Sequence, residues 1–289
     1  MADTQNQIYA QAYGRNIMQL AQQKYSKLIN YVFIRPNVNA KTFFQDRIGE
    51  WSMSVKGGRN VATPNNDPNL SRRMGTMVDY HDARYLDRGD ELRSISDPRS
   101  SYTIAAASSL GRKIDDVILS AAVGTANYGE TGSSSVTHSN TVSIATVGYI
   151  TLANLASVKY AFDNANVEEE DRIIVITPLA LSNLLQVSQV TSSDYAAVKA
   201  LVRGEVDTFM GMRFITSTRI AQITGGNVTA GAITLVAFQK FGVCLAMASA
   251  PLVRTDERTD LSYSWQIYYE LNVGAVRLEE ARVVSGQTV

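Results

Sequence analysis

Residues 97–124 read DPRSSYTIAAASSLGRKIDDVILSAAVG. The pattern predicts one long helix. Asp97 suits the N-cap and Pro98 the first helical position, where a missing N–H costs nothing. At 100° per residue, Ala107, Leu110, Ile114, Val117, Ile118 and Ala121 share a face, while Arg112, Lys113 and Asp116 fall elsewhere. Gly124 follows the last apolar residue, where a left-handed C-terminal residue is expected. Gly111 sits in the apolar stripe and costs about 1 kcal/mol relative to Ala. It marks either a close backbone crossing or a tolerated weak spot. At roughly 1.5 Å per residue the helix is about 40 Å long, which makes it a spine for the rest of the chain.

On the N-terminal side, residues 5–31 carry an amphipathic helical pattern. Tyr9, Tyr13, Ile17, Leu20, Leu28 and Tyr31 share about 100° of arc, interrupted by Lys24. Tyrosines on such a stripe suit either an intersubunit contact or a helix docked on its own core. From Thr42 to Lys56 the period changes to two, with Trp51, Met53 and Val55 alternating against Ser52, Ser54 and Lys56. GGRNVATPNNDPNLSRRMG (57–75) then reads as a long exposed loop, and strand character resumes near Met77. The expectation is an extended hairpin with Lys56, Arg59, Arg72 and Arg73 at a basic tip. That tip is either simply solvated or a docking point for an acidic patch on a neighbour, with DNA a minor alternative. Such a hairpin is marginal alone and must lie on something else. Residues 80–99 interleave Asp82, Asp87, Asp90, Glu91 and Asp97 with Arg84, Arg88, Arg93 and Arg99. This is either a solvated surface or a charge-matched contact to another chain.

Beyond the spine, 127–143 is a Gly/Ser/Thr-rich loop. Its GETGSSS lacks the Lys-Ser/Thr ending of a phosphate loop. A helix over 151–165 turns Leu152, Leu155, Ala156 and Phe162 inward, followed by the strand RIIVIT and the helix PLALSNLLQ. Further strands are expected at Met212–Thr216, AITLVAF and VCLAMA. The strongest strand pattern runs from Tyr263, with Trp265, Ile267, Tyr269, Leu271 and Val273 on one side.

The 289 residues include 27 basic and 27 acidic side chains, a formal net charge of zero. That argues against a free-standing nucleic-acid binder. One cysteine, Cys244, rules out an internal disulfide, and its apolar run points to a buried structural thiol. No signal-peptide pattern and no apolar run near 20 residues is present, so a soluble chain with no membrane contact is expected. Two distant histidines, His81 and His138, with one cysteine make no zinc site of usual ligand count. Asp115 and Asp116 point about 100° apart on a helix and cannot share a proton. Glu279 and Glu280 have the same weakness if they lie on a strand. No GxSxG, HExxH or dinucleotide fingerprint occurs. Neither catalysis nor a cofactor is expected.

The order of parts resembles the major capsid protein of tailed bacteriophages, the Hong Kong 97-type fold, shared with bacterial encapsulin shells. SSLGRKIDDVIL is similar to the spine-helix signature of one phage capsid group, and ALVRGEVDTFMGMRFITSTRI (200–220) to a stretch common in these shells. The resemblance covers nearly the whole chain and implies an α+β fold with five parts. These are an N-terminal arm (1–40), an extended hairpin loop (41–80), a peripheral domain (81–144) with its spine at 98–123, a mainly axial domain (145–260), and a returning peripheral strand with the C-terminus (261–289). It implies pentamers and hexamers of an icosahedral head around double-stranded DNA, assembled in the bacterial cytoplasm, with a separate scaffolding protein, a portal and a decoration protein as candidate partners. An encapsulin-type compartment enclosing cargo protein is the alternative. The expected intersubunit contacts are Tyr9, Tyr13, Trp51, Met53, Lys56, Arg59, Arg72, Arg73, Arg84, Asp87 and Arg88.

Overall fold

The computed structural model describes residues 22–87, 99–186, 208–223 and 232–288. These fall into two units. The spine-helix pattern forms α1, Arg99–Val123, which gives Arg99–Arg112 to the smaller unit and Lys113–Val123 to the larger. The expected cap, Asp97 and Pro98, lies outside the described residues. Leu110, Ile114 and Ile118 are buried as the periodicity requires, but Ala107 is exposed, while Ala106, Leu119 and Ala122 are buried. The covered arc is therefore wider than one stripe and rotated from it. Gly111 is buried. Gly124 ends the helix without a left-handed backbone. Its amide donates to Ser120 O at 2.8 Å, and a Cβ would stand 2.6 Å from that carbonyl oxygen.

The larger unit holds a six-stranded mixed sheet in the order β7-β15-β11-β8-β10-β9. The strands are β7 (Thr141–Ile144), β8 (Arg172–Ile176), β9 (Thr208–Phe209), β10 (Met212–Thr216), β11 (Ile233–Gln239) and β15 (Val283–Thr288). Every residue of β8 and β11 is buried, as expected of apolar, β-branched runs at the middle of a covered sheet. Helices α2 (Leu152–Asn164) and α3 (Pro178–Gln186) supply the cover. Leu155, Val158 and Phe162 of α2, with Ala180 and Leu184 of α3, join Ile174, Ile176, Leu235 and Ala237 in one core. Val158, not Ala156, faces inward, because it lies three residues from Leu155 and four from Phe162. Thr151 and Asn154 form a reciprocal capping box at the start of α2. The buried Arg172 at the head of β8 is fully engaged, donating to Asp163 at 2.6 Å and to the carbonyls of Val167 and Glu168.

The same unit contains a four-stranded sheet, β2-β3-β5-β6. These strands are β2 (Thr42–Ile48), β3 (Leu70–Thr76), β5 (Ala126–Tyr128) and β6 (Ser134–Val136). Strand β1 (Phe33–Arg35) pairs in parallel with β12 (Val243–Met247), which pairs antiparallel with Val273–Arg277 of β14 (Ser264–Arg277). Val38, Phe43, Met77, Cys244, Ala246, Val276 and Leu278 close a second core between these layers. Gly274 is required there, because a Cβ would lie 2.3 Å from Thr76 O.

In the smaller unit, β13 (Leu252–Arg258) pairs antiparallel with the first half of β14. Strand β4 (Val78–Leu86) also pairs with β14. Ile267 and Leu271 are buried, as the alternation implies, whereas Tyr263 is exposed in a turn with positive φ at both Ser262 and Tyr263.

Candidate assembly surfaces

Strands β2 and β3 pair antiparallel from Thr42↔Thr76 to Ile48↔Leu70, and the ladder closes with Gly49 N donating to Asn69 O at 2.7 Å. Residues 50–69 beyond it form neither strand nor helix. The alternating segment read as a strand is thus an unpaired leg of the loop. Trp51 is 70%, Met53 99% and Val55 96% exposed. Its sequence has strand chemistry, but the pairing strand expected for it stops at Leu70. Asn66 Nδ2 ties the returning leg to Ser52 O at 3.3 Å and Ser54 Oγ at 3.2 Å. Lys56 and Arg59 are exposed near the turn of this loop.

Arg72 and Arg73 are not at the tip. Both lie on β3, about 20 residues from the start of the loop's outgoing leg, and alternation sends them to opposite faces. Arg72 pairs with Asp46 on the open face (Nε–Oδ1 2.5 Å) and stacks over Phe44 at 5.4 Å. The contact holds the Asp46 carboxyl below its ordinary range. Arg73 is buried. It donates to Leu278 O at 3.2 Å and Glu280 Oε1 at 2.9 Å, with its guanidinium 5.7 Å from the Tyr128 ring. Its expected place at a basic hairpin tip is thereby corrected, since it is buried and bonded within its own subunit.

Glu280 sits in the turn between β14 and β15, not on a strand. Its other oxygen, Oε2, accepts from Arg277 Nε at 2.7 Å. Arg277 is fully buried and donates to the carbonyls of Ala122 (2.9 Å), Gly124 (2.5 Å) and Val136 (3.2 Å). Arg47 of β2 donates to Leu278 O as well. Burial pushes the Glu280 carboxyl up, but His138 (Nδ1–Oε2 3.9 Å), Arg277 and Arg73 outweigh it and hold the group below its ordinary value. Glu279 turns to Arg282 at 2.7 Å, so the two neighbouring carboxylates serve different partners.

Asp115 and Asp116 separate in the same way. Asp115 is fully buried and accepts Ser26 Oγ at 2.6 Å, Lys27 N at 3.1 Å and Leu28 N at 3.2 Å. Asp116 binds Arg219 (Nε–Oδ1 2.6 Å). The first carboxylate therefore fixes the chain at the end of the N-terminal segment. Arg84 and Asp87 are exposed, with Arg84 5.8 Å from the Tyr102 ring. Tyr9, Tyr13 and Arg88 lie outside the described residues. Cys244 is buried, and burial pushes its thiol up to about 11. Among the described residues no cluster of His, Cys, Asp and Glu suits a metal ion, and no helix is long and apolar enough to cross a membrane.

Sequence reasoning missed Glu280, Arg277 and Asp115 as structural anchors. The available signal was a charged residue at a core-facing position: Arg277 continues the two-residue alternation of Leu271 and Val273, and Asp115 lies three and four residues from Ile118 and Leu119.

No curated protein matches the chain. Among solved structures, the capsid of the cyanophage P-SCSP1u aligns with a TM-score of 0.77 at 17% identity, over 98% of this chain and 94% of that one. The capsid of Helicobacter pylori bacteriophage KHP30 aligns with a TM-score of 0.74 at 11% identity, over 100% and 97%. The Mycobacterium phage Ogopogo structure gives 0.72 at 13% identity, over 100% of both chains. The fold is that of the Hong Kong 97-type capsids, and a protein-filled compartment is not favoured over a capsid. The family model described as phage capsid protein matches residues 6–289. A chain matched over that span, with this fold, belongs to the phage capsid protein family as a major capsid protein.

Proposed function

We propose that copies of this chain assemble as pentamers and hexamers into an icosahedral head around double-stranded DNA, and that the 49–69 loop is an arm reaching a neighbouring copy. One observation carries this reading: Met53 and Val55 are almost fully exposed and Trp51 largely so, on a loop whose root is firmly held. Large apolar side chains on an ordered arm are covered in the working state, each gaining about 1.5–3 kcal/mol on full burial. Lys56, Arg59 and Arg72 flank this surface and set register more than affinity. Arg84, Asp87 and Arg88, with Tyr9 and Tyr13, belong to further contacts between copies. The role is mechanical, without catalysis.

In this scheme 81–144 with the long helix is the peripheral domain, 145–260 is mainly axial, and 261–289 returns to the periphery. A separate scaffolding protein, a portal and a decoration protein are the fitting partners, and assembly takes place in the host cytoplasm before packaging. DNA contacts on the inner wall are non-specific, in keeping with the chain's zero net charge. The test is the triple substitution of Trp51, Met53 and Val55 by Ser. The variant should remain a folded subunit yet fail to form shells in negative-stain microscopy; shells at wild-type yield would overturn the arm assignment.

A further inference from the structure

We infer that Glu280 is a positioning residue that couples the root of the β2–β3 hairpin to the C-terminal end of α1. Its two carboxylate oxygens hold different elements. Oε1 accepts from Arg73 of β3 at 2.9 Å, and Oε2 accepts from Arg277 at 2.7 Å. Arg277 carries the link onward to Ala122 O and Gly124 O. Those carbonyls are the acceptors that a helix end leaves without intrahelical partners, and they form the negative pole of its dipole. A buried guanidinium satisfies them, and Glu280 in turn neutralises the guanidinium.

A carboxylate suits this position for a specific reason. It is a planar acceptor with two equivalent charged oxygens, so it takes one guanidinium on each, whereas an amide offers one oxygen and two unwanted donors. Arg73 and Arg277 are 4% and 0% exposed, so salt screens the linkage weakly. Arg47 contrasts with them. It reaches the same turn through Leu278 O and the neighbouring strand through Ser71 Oγ, and neither contact touches the carboxylate. It seats β2 without joining it to the helix.

The cluster also retains unpaired polar atoms. Neither ring nitrogen of His138 nor Nη1 of Arg73 has a hydrogen-bond partner, although all three are buried. The arrangement is a shared anchor, so that loosening it at the carboxylate frees both the hairpin root and the helix end. Its consequence for assembly rests on the loop being an arm to a neighbouring copy; the coupling itself does not.

Hydrogen exchange read by mass spectrometry on the unassembled full-length chain tests it. In Glu280→Gln, peptides covering 70–76 and 119–124 should both exchange at least about ten-fold faster, a change of about 1.4 kcal/mol, while 172–176 and 233–239 keep wild-type rates. Arg47→Met should accelerate 42–48 and leave 119–124 unchanged. The coupling is overturned if Glu280→Gln loosens one of its two segments alone, if all segments accelerate alike, or if Arg47→Met also frees the helix end. Should Glu280→Gln not accumulate as a folded chain, Glu280→Asp replaces it. That variant keeps the charge but is one methylene short of spanning both arginines, and it is held to the same pattern. Loss of assembly in the triple-serine loop variant tests the arm alone, so the two readings fail separately.

Discussion

The fully buried carboxylate of Asp115 on α1 accepts the backbone N–H of Leu28 at 3.2 Å, across 87 residues of sequence. It also takes Lys27 N and Ser26 Oγ, so one side chain fixes three consecutive residues. Asp115→Ala would strand two amides and a hydroxyl, at a cost of about 2–4 kcal/mol. Asp115→Asn keeps one acceptor oxygen and should cost about half as much. Urea unfolding of the unassembled subunit gives both values. Equal midpoints for wild type and Asp115→Ala would show that the segment is anchored by other contacts.

Gly274 faces Thr76 O where β14 passes the end of β3. A methyl group there meets a backbone carbonyl at 2.3 Å, and backbone cannot rotate away as a side chain can. Gly274→Ala should lower stability by about 1–3 kcal/mol. Gly57, with nothing within 4 Å of its Cβ position, should accept Ala without loss. Thermal unfolding of the two variants side by side separates steric need from any general effect of losing a glycine.

The parts of the fold that were legible in the sequence are those whose signal is local. The α1 periodicity, the β-branched RIIVI of β8 and the alternation of β14 each encode an element through its own neighbours. The hairpin loop is not legible in this way because strand pairing is not local: Trp51 to Val55 has the alternation of a strand, yet β3 stops at Leu70. Polarity alone groups Arg72 with Arg73, although a two-residue period sends them to opposite faces. Glu280 was invisible for another reason. Its partners come from β3 and from the end of β14, and its place in a turn does not follow from the glutamate pair itself.

The Glu280 carboxyl is held below its ordinary value in the folded chain. Its charge therefore stabilises the fold above the unfolded value of about 4.3, and that contribution is lost as pH falls through the lower folded value. The stability gap between wild type and Glu280→Gln should be widest near pH 6–7 and narrow steadily below about pH 4.3. Denaturant titrations at several pH values measure it. A gap that stays constant into acid would mean that the ionised carboxylate contributes nothing.

Arg72 and Arg73 are adjacent in sequence and should diverge in behaviour. Arg72 binds Asp46 on the open face, where solvent and salt weaken the pair, so Arg72→Glu should leave the unfolding midpoint of the subunit nearly unchanged. Arg73→Glu places a second carboxylate beside Glu280 in a buried site and removes the cation that balanced it. Breaking a buried pair from one side costs about 3–5 kcal/mol, enough to unfold many domains of this size. Circular dichroism and urea unfolding should therefore show a native-like Arg72→Glu chain and an unfolded or severely weakened Arg73→Glu chain. If Arg72→Glu folds normally but assembles poorly, the open face of β3 is a contact between copies. If both variants fold normally, Arg73 is not the internal anchor that its contacts to Leu278 and Glu280 make it.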